Sequence, residues 1–259
     1  MIGKLSDPTQ AAPLFAGWEE TILWSCLSGA MGSIYATRKN APTAAMACLG
    51  DFCFFAGEPS RELALFQPEP ASRVIAVPQT DAWSVLLKDC YGPHATPAIR
   101  YATKKEPSVF HRPHLEQAAA SLPPEYHLAW IDEALFSRAR TIPWCQDWVA
   151  SYRDFSHFQQ YGLGVAVMRN GEPVSGASSY SGWPGGIEIE IDTREDYRRR
   201  GLAYAAAAAL ILACLDRGLY PSWDAQNLAS LALAEKLGYQ FSHEYPVLLL
   251  DTLAHSVLK

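Results

Sequence analysis

From Ile187 to Ile191 the chain alternates without a break, Ile-Glu-Ile-Glu-Ile. That is the period of a strand with one face toward a core. Upstream, Leu163–Met168 reads as a strand, Asn170-Gly171 as a hairpin turn and Glu172–Tyr180 as the returning strand. With a further turn in Gly182–Gly186, the three strands form a meander. The period then changes to that of a helix, predicted over Arg200–Asp216 and closed by Arg217-Gly218, with Pro221 just beyond. A short strand Ser222–Ala225 follows. Asn227 caps a second helix that runs to Leu237 and stops at Gly238. Tyr239–Ser242 and Val247–Leu250 are expected as closing strands. The order β-β-β-α-β-α-β-β points to an α+β fold with a mixed sheet flanked by helices, not a doubly wound one.

The first half is patterned less sharply. Apolar positions at Trp18, Ile22, Leu23, Leu27 and Ala30 suit an amphipathic helix over Trp18–Ala30. Ala44–Phe55 and Arg73–Val77 read as strands, the first ending at Gly57-Glu58-Pro59, and Asp81–Cys90 as a helix stopped by Gly92-Pro93. Ile99–Ala102 suits a strand, Pro113–Ser121 a helix, and Tyr126–Ile131 another strand. The prolines between Pro93 and Pro124 mark a boundary zone. The expected division is an N-terminal α/β accessory region, residues 1–124, and a second domain, residues 125–259.

Composition narrows the classes. The chain has 259 residues, 49% hydrophobic and 19% charged, with a formal net charge of −6. It can bury a sizeable core and carries no general nucleic-acid footprint. No apolar run reaches membrane-spanning length, Leu202–Leu215 coming closest. The opening MIGKLSDPTQ has no apolar stretch after its lysine, so no signal peptide is expected. The six cysteines show neither a CxxC pair nor metal-ligand spacing. His111 and His114 have no third ligand near them in sequence. A cytoplasmic protein with buried thiols and no metal is the expectation.

Against the acidic average stand Arg194, Arg198, Arg199 and Arg200. These arginines sit where a strand passes through a glycine-containing turn into an alanine-rich helix. A helix N-terminus offers unpaired N–H groups and the positive end of its dipole, a setting that favours phosphate. Gly201 leaves the backbone open to a ligand, Ala203 is nearly as small, and Ala205–Ala209 lets the helix lie close to a sheet. A capped helix with a solvated basic turn would show the same residues.

The wider pattern separates these readings. Arg198-Arg199-Arg200-Gly201-Leu202-Ala203 fits the (Arg/Gln)-x-x-Gly-x-(Gly/Ala) motif of the GNAT N-acetyltransferase superfamily. Asn227-Leu228-Ala229-Ser230 and Glu235-Lys236-Leu237-Gly238-Tyr239 resemble that superfamily's second cofactor-side helix and its terminal Leu-Gly-aromatic. The resemblance covers about the last hundred residues. Val174–Tyr180, Asp192-Thr193 and Pro221–Ala225 bring it closest to the subgroup that includes zwittermicin-resistance acetyltransferases.

The resemblance implies a GNAT-type sheet and acetyl-CoA as co-substrate, with the pyrophosphate on Arg198, Arg199, Arg200, Gly201, Leu202 and Ala203. It implies a pantetheine arm beside Ile189 and Ile191, with Asn227 and Ser230 beside the pantetheine or the thiol. The expected reaction is direct attack of an amine, on a small molecule or a peptide, upon the thioester. Such an amine must first lose a proton, and Glu190 and Glu188, on one face of the alternating strand with Asp192 beyond them, are the candidate bases. The same carboxylates would equally serve as the polar side of a half-exposed strand. One departure stands out: many relatives carry a tyrosine four residues after the position of Ser230, and this chain has Ala234. The alternative reading is a non-catalytic acyl-CoA-binding or sensing module. No nucleic acid or membrane is expected as a partner. The N-terminal region could complete the acceptor site, form a homodimer, or be a diverged copy of the second half.

Overall fold

The computed structural model describes residues 2–68 and 72–252. In chain order the first elements are β1 (Gly3–Lys4), α1 (Thr21–Leu27), β2 (Ser33–Ala36), β3 (Ala44–Leu49), β4 (Phe52–Gly57), α2 (Arg61–Ala64), β5 (Arg73–Pro78) and α3 (Asp81–Tyr91). Then come β6 (Ala95–Thr103), α4 (Arg112–Ala119), β7 (His127–Trp130), α5 (Glu133–Ala139), α6 (Phe155–Tyr161), β8 (Gly164–Arg169), β9 (Glu172–Trp183) and β10 (Gly186–Thr193). The last are α7 (Leu202–Asp216), β11 (Tyr220–Ser222), β12 (Asp224–Ala225), α8 (Leu228–Lys236) and β13 (Phe241–Asp251). They form two compact units: residues 1–100 with 244–259, and residues 101–243.

In the first unit β1 to β5 lie in sequence order, antiparallel up to β4 and parallel between β4 and β5. The chain returns from Glu244 and pairs Leu248–Asp251 antiparallel to β5. Met46, Phe55, Leu63, Trp83, Leu87 and Leu248 fill one core of this unit. The apolar run Ala44–Phe55, read as one strand, is a hairpin: the chain reverses at Gly50-Asp51, with Gly50 at φ 58°. The helix expected over Trp18–Ala30 is confined to Thr21–Leu27, because Ser28 caps it and Gly29 takes φ 71°.

The second unit holds a five-stranded sheet in the order β11-β10-β9-β8-β7, with β10 and β11 parallel and the other pairs antiparallel. The predicted meander is β8–β9–β10. Helix α7 is apolar on nearly every side because it is covered from both: its alanines press against β8, β9 and β10, and α4 packs on it through Leu115 and Ala118. The small side chains let the helix approach the sheet closely, which fixes its N-terminal turn. Ser222–Ala225 is split, since the chain leaves β10 after Ser222 and pairs Asp224 and Ala225 with Ala102 and Tyr101 of β6. The strands expected at Tyr239–Ser242 and Val247–Leu250 are one, β13, which starts at Phe241 and leaves Tyr239 and Gln240 outside it. No helix among the described residues is long and apolar enough to cross a membrane.

Candidate functional site

Two neighbouring strands part company at β10. Its register with β11 runs only from Gly186 to Glu188 and then stops, while its pairing with β9 continues to Thr193. The β9 register shifts at Glu188/Ile189, a bulge that turns the strand as it leaves β11. Ile189 to Thr193 therefore have one backbone edge without a strand neighbour in this sheet. At the fork the Glu188 carboxylate is only 4% exposed and accepts the Asp224 N–H at 2.7 Å, tying the two diverging chains together.

The chain then passes through a 3₁₀ turn, Glu195–Tyr197, into the basic turn. Arg199 takes φ 60° and Gly201 φ 77°, so two left-handed residues flank Arg200 just before α7. For arginine that conformation costs free energy, and such residues concentrate at functional turns. Gly201 is the N-cap of α7 and no side chain caps the helix, leaving its first amides to be satisfied by something else. A Cβ built on Gly201 would meet no atom within 4 Å. The space in front of these amides is open.

Several contacts hold the turn. Arg200 donates to the Asp196 carbonyl at 2.8 Å and to the Tyr126 hydroxyl at 3.3 Å. Arg198 donates to the Thr193 carbonyl at 3.3 Å. The Tyr197 ring lies 4.4 Å from the Arg194 guanidinium and 4.9 Å from that of Arg200. Cations gathered this closely, beside uncapped helix amides, suit an anion.

A cleft of about 710 Å³ opens here, wholly within the second unit. Of the residues expected to hold a cofactor, Ile191, Arg198, Arg199, Arg200, Gly201, Leu202, Ala203, Asn227 and Ser230 line it. Ile189 does not; it is 8% exposed and packs into the core under α7. Tyr197, Tyr204, Trp223 and Lys236 also line the cleft, and the sequence reading had not placed them there. The indole N–H of Trp223 donates to Ser230 Oγ at 3.1 Å, and Asn227 Oδ1 accepts the Ser230 N–H at 2.9 Å. Ala234 is fully buried in the core, so the departure from the tyrosine pattern lies on the inner side of α8.

Glu188 and Glu190 do not line this cleft. They stand with Asp192 on the other face of β10, where Glu190 is half-buried opposite Ser178. Asp192 lies opposite Gly176, and a Cβ on Gly176 would fall 2.6 Å from the Trp148 ring. Trp148 thus packs against this face. Asp192 Oδ2 and Trp148 Nε1 are both buried with no hydrogen-bond partner among the described residues. Burial, and then the charge of Asp147, push the Asp192 carboxyl up to about 6, while Arg198 pulls the other way. His114, by contrast, is engaged by the Lys236 carbonyl and the Tyr204 hydroxyl. No group of three or more His, Cys, Asp or Glu residues that could hold a metal ion occurs among the described residues.

The sheet forks beside an uncapped, basic helix N-terminus, and comparison with known proteins gives this arrangement its family. The family profile described as GNAT acetyltransferase matches residues 12–248. The uncharacterized N-acetyltransferase YdfB of Bacillus subtilis (strain 168) is 30% identical over 187 residues, which span 70% of this chain and 67% of that protein. A GCN5-related N-acetyltransferase-like protein from Streptococcus suis 89/1591 superposes with a TM-score of 0.89 at 45% identity, covering 94% of this chain and 98% of that one. A tandem GNAT protein from the clavulanic acid biosynthesis pathway shares the fold alone, at 11% identity and a TM-score of 0.50, over 97% of this chain and 99% of that one. The chain belongs to the GNAT acetyltransferase family.

Proposed function

We propose that the protein transfers an acetyl group from acetyl-CoA to an amine, with the cofactor in the cleft at the N-terminus of α7. The observation that carries this is the conjunction of uncapped helix amides, open space at Gly201 and arginines on one turn. The cleft suits the cofactor in charge and in lining: the basic turn fits the pyrophosphate, and Ile191, Trp223 and Leu233 give an apolar wall for the pantetheine arm. Bound there, acetyl-CoA supplies an activated thioester.

The chain's own part is to orient and to move a proton. The backbone of Arg198–Ala203 holds the phosphates, and Asn227 and Ser230 bond along the arm. The edge of β10 released by the fork offers Ile189 and Ile191 backbone groups to the arm and to the acyl oxygen. Glu190 takes the proton from the acceptor ammonium, and Glu188 holds the fork. The acidic face of β10 suits a cationic small molecule or peptide N-terminus, as does the resemblance to zwittermicin-resistance enzymes. The first unit, residues 1–100 with 244–259, acts as an accessory region that shapes acceptor choice.

Calorimetry with acetyl-CoA, followed by thiol release over a panel of polyamines, aminoglycosides and peptides, tests this reading. Binding with turnover is the expected result. Binding without turnover on any amine would favour an acyl-CoA sensor, the reading supported by the missing hydroxyl at Ala234. Absence of binding would defeat both.

A further inference from the structure

The first unit carries a feature that acyl transfer does not use. Cys48 and Cys53 face each other across the β3–β4 hairpin, directly opposite in register, with their sulfurs 2.6 Å apart. Leu49 and Phe52 flank the two-residue turn Gly50-Asp51 and close the hairpin as its hydrogen-bonded pair. The next pair outward is then non-hydrogen-bonded, with Cα atoms about 4.5 Å apart, inside the range a disulfide can span. Both side chains point to one face, the face that carries Met46 and Phe55.

Other thiols are placed differently. Cys26 approaches from α1, where its sulfur meets the Cys48 carbonyl at 3.6 Å; a Cβ on Gly32 would lie 2.6 Å from that sulfur and 3.0 Å from the Leu49 Cβ. It is therefore on the Leu49 side of the sheet, away from the Cys48 side chain. Burial, and next the nearby Cys53, push its thiol up to about 12, so it stays protonated. Cys90 belongs to the same core as Cys53 but is buried in α3. Cys48 is the more exposed of the cross-strand pair.

We propose that Cys48 and Cys53 are a thiol–disulfide modification site, oxidised to a cross-strand bridge by low-molecular-weight disulfides such as oxidised glutathione. The Cys48 thiolate attacks one sulfur of the oxidant and expels one glutathione thiolate. The Cys53 thiolate then attacks the Cys48 sulfur of that mixed disulfide and expels the second. The two cysteine protons pass to water, the protein loses two electrons, and the oxidant becomes two thiols. The bridge closes only a short loop, so it adds little to the stability of the fold and is readily reopened by a dithiol.

The test is to treat the full chain with oxidised glutathione, alkylate it in denaturant, digest it with trypsin and weigh the peptides. Cys48 and Cys53 share the peptide Asn40–Arg61, since no Lys or Arg lies between Lys39 and Arg61. The expected product is this peptide unalkylated and two hydrogens lighter than its dithiol, fully alkylated after dithiothreitol. Cys48→Ser and Cys53→Ser should each abolish it, while Cys26→Ser and Cys90→Ser should leave it. The wild-type peptide decides the matter even if a variant folds poorly. Two alkylated cysteines after oxidation, a glutathione adduct that persists on Cys48, or a bridge to Cys26 or Cys90 would each overturn the proposal. None of these outcomes depends on whether the cleft binds acetyl-CoA.

Discussion

Asp192 is the residue whose environment departs furthest from its sequence context. The alternation Ile187–Ile191 put it on the polar face, yet the structure packs Trp148 against that face and leaves Asp192 Oδ2 buried without a hydrogen-bond partner among the described residues. Nothing near Asp192 in sequence signals Asp147 or Trp148, which arrive from a 3₁₀ turn far upstream. With its carboxyl raised from 3.8 to about 6, the folded protein binds more protons than the unfolded chain between those values. Stability from this group is therefore greatest below pH 4 and is lost as pH rises through 6. Asp192→Asn should stabilise the protein by about 1–3 kcal/mol at pH 8 and by roughly half as much at pH 5, in urea titrations at the two pH values. An equal gain at both would mean that the carboxyl titrates normally.

At the basic turn the residue-level reading went further, because the requirement is local: small residues, a glycine and a helix start. Gly201→Val would force a branched side chain to φ 77° and fill the open cradle. It should weaken acetyl-CoA binding by more than about tenfold in calorimetry while the fold survives. Ala203→Gly should bind nearly as wild type and Ala203→Leu poorly. What the motif did not reveal is that Arg199 also adopts a left-handed conformation, a strain with no sequence signature of its own.

Among the elements, β10 carries the carboxylates proposed as bases. Its strand, the meander and α7 were legible because period, turn residues and caps all agreed. The fork was not, since it depends on where β11 stops pairing. Glu188 and Glu190 look equivalent in sequence, and the fork separates them: one is buried against the Asp224 N–H, the other half-buried opposite Ser178. Glu190→Gln should lower kcat by ~10²–10⁴ with little change in acetyl-CoA affinity, and the loss should shrink as pH rises and more amine arrives neutral. Glu188→Ala should instead cost about 1–3 kcal/mol of stability, by removing the buried carboxylate that accepts the Asp224 N–H. Circular dichroism melts beside pH–rate profiles distinguish the two roles. A catalytic loss confined to Glu188→Gln would reverse the assignment. Two helices had signals that pattern reading passed over: Asp132 caps α5 and Asp154 caps α6, each through the N–H three residues on, at 2.8 Å.

For the molecule as a whole, the alternation of apolar and polar residues could not show that the first unit is discontinuous. The run Ala44–Phe55 is apolar on both faces, which hides its turn, and the partner of β5 lies some 170 residues away in sequence. Val247, Leu248 and Leu250 are at most 2% exposed and serve the first unit, although they follow the whole of the second. A fragment of residues 101–243 should thus keep acetyl-CoA affinity and stay dispersed, whereas 101–259 should aggregate through an orphaned apolar strand. Light scattering and calorimetry on both fragments check this, and a dispersed 101–259 fragment would refute it. The same discontinuity sets a timetable for synthesis. At ~5–20 residues per second, the ribosome needs roughly 8–30 s after residue 100 to deliver the strand that β5 awaits. Through that interval the nascent first half carries an open sheet edge, a natural client for chaperones that shield unpaired strands.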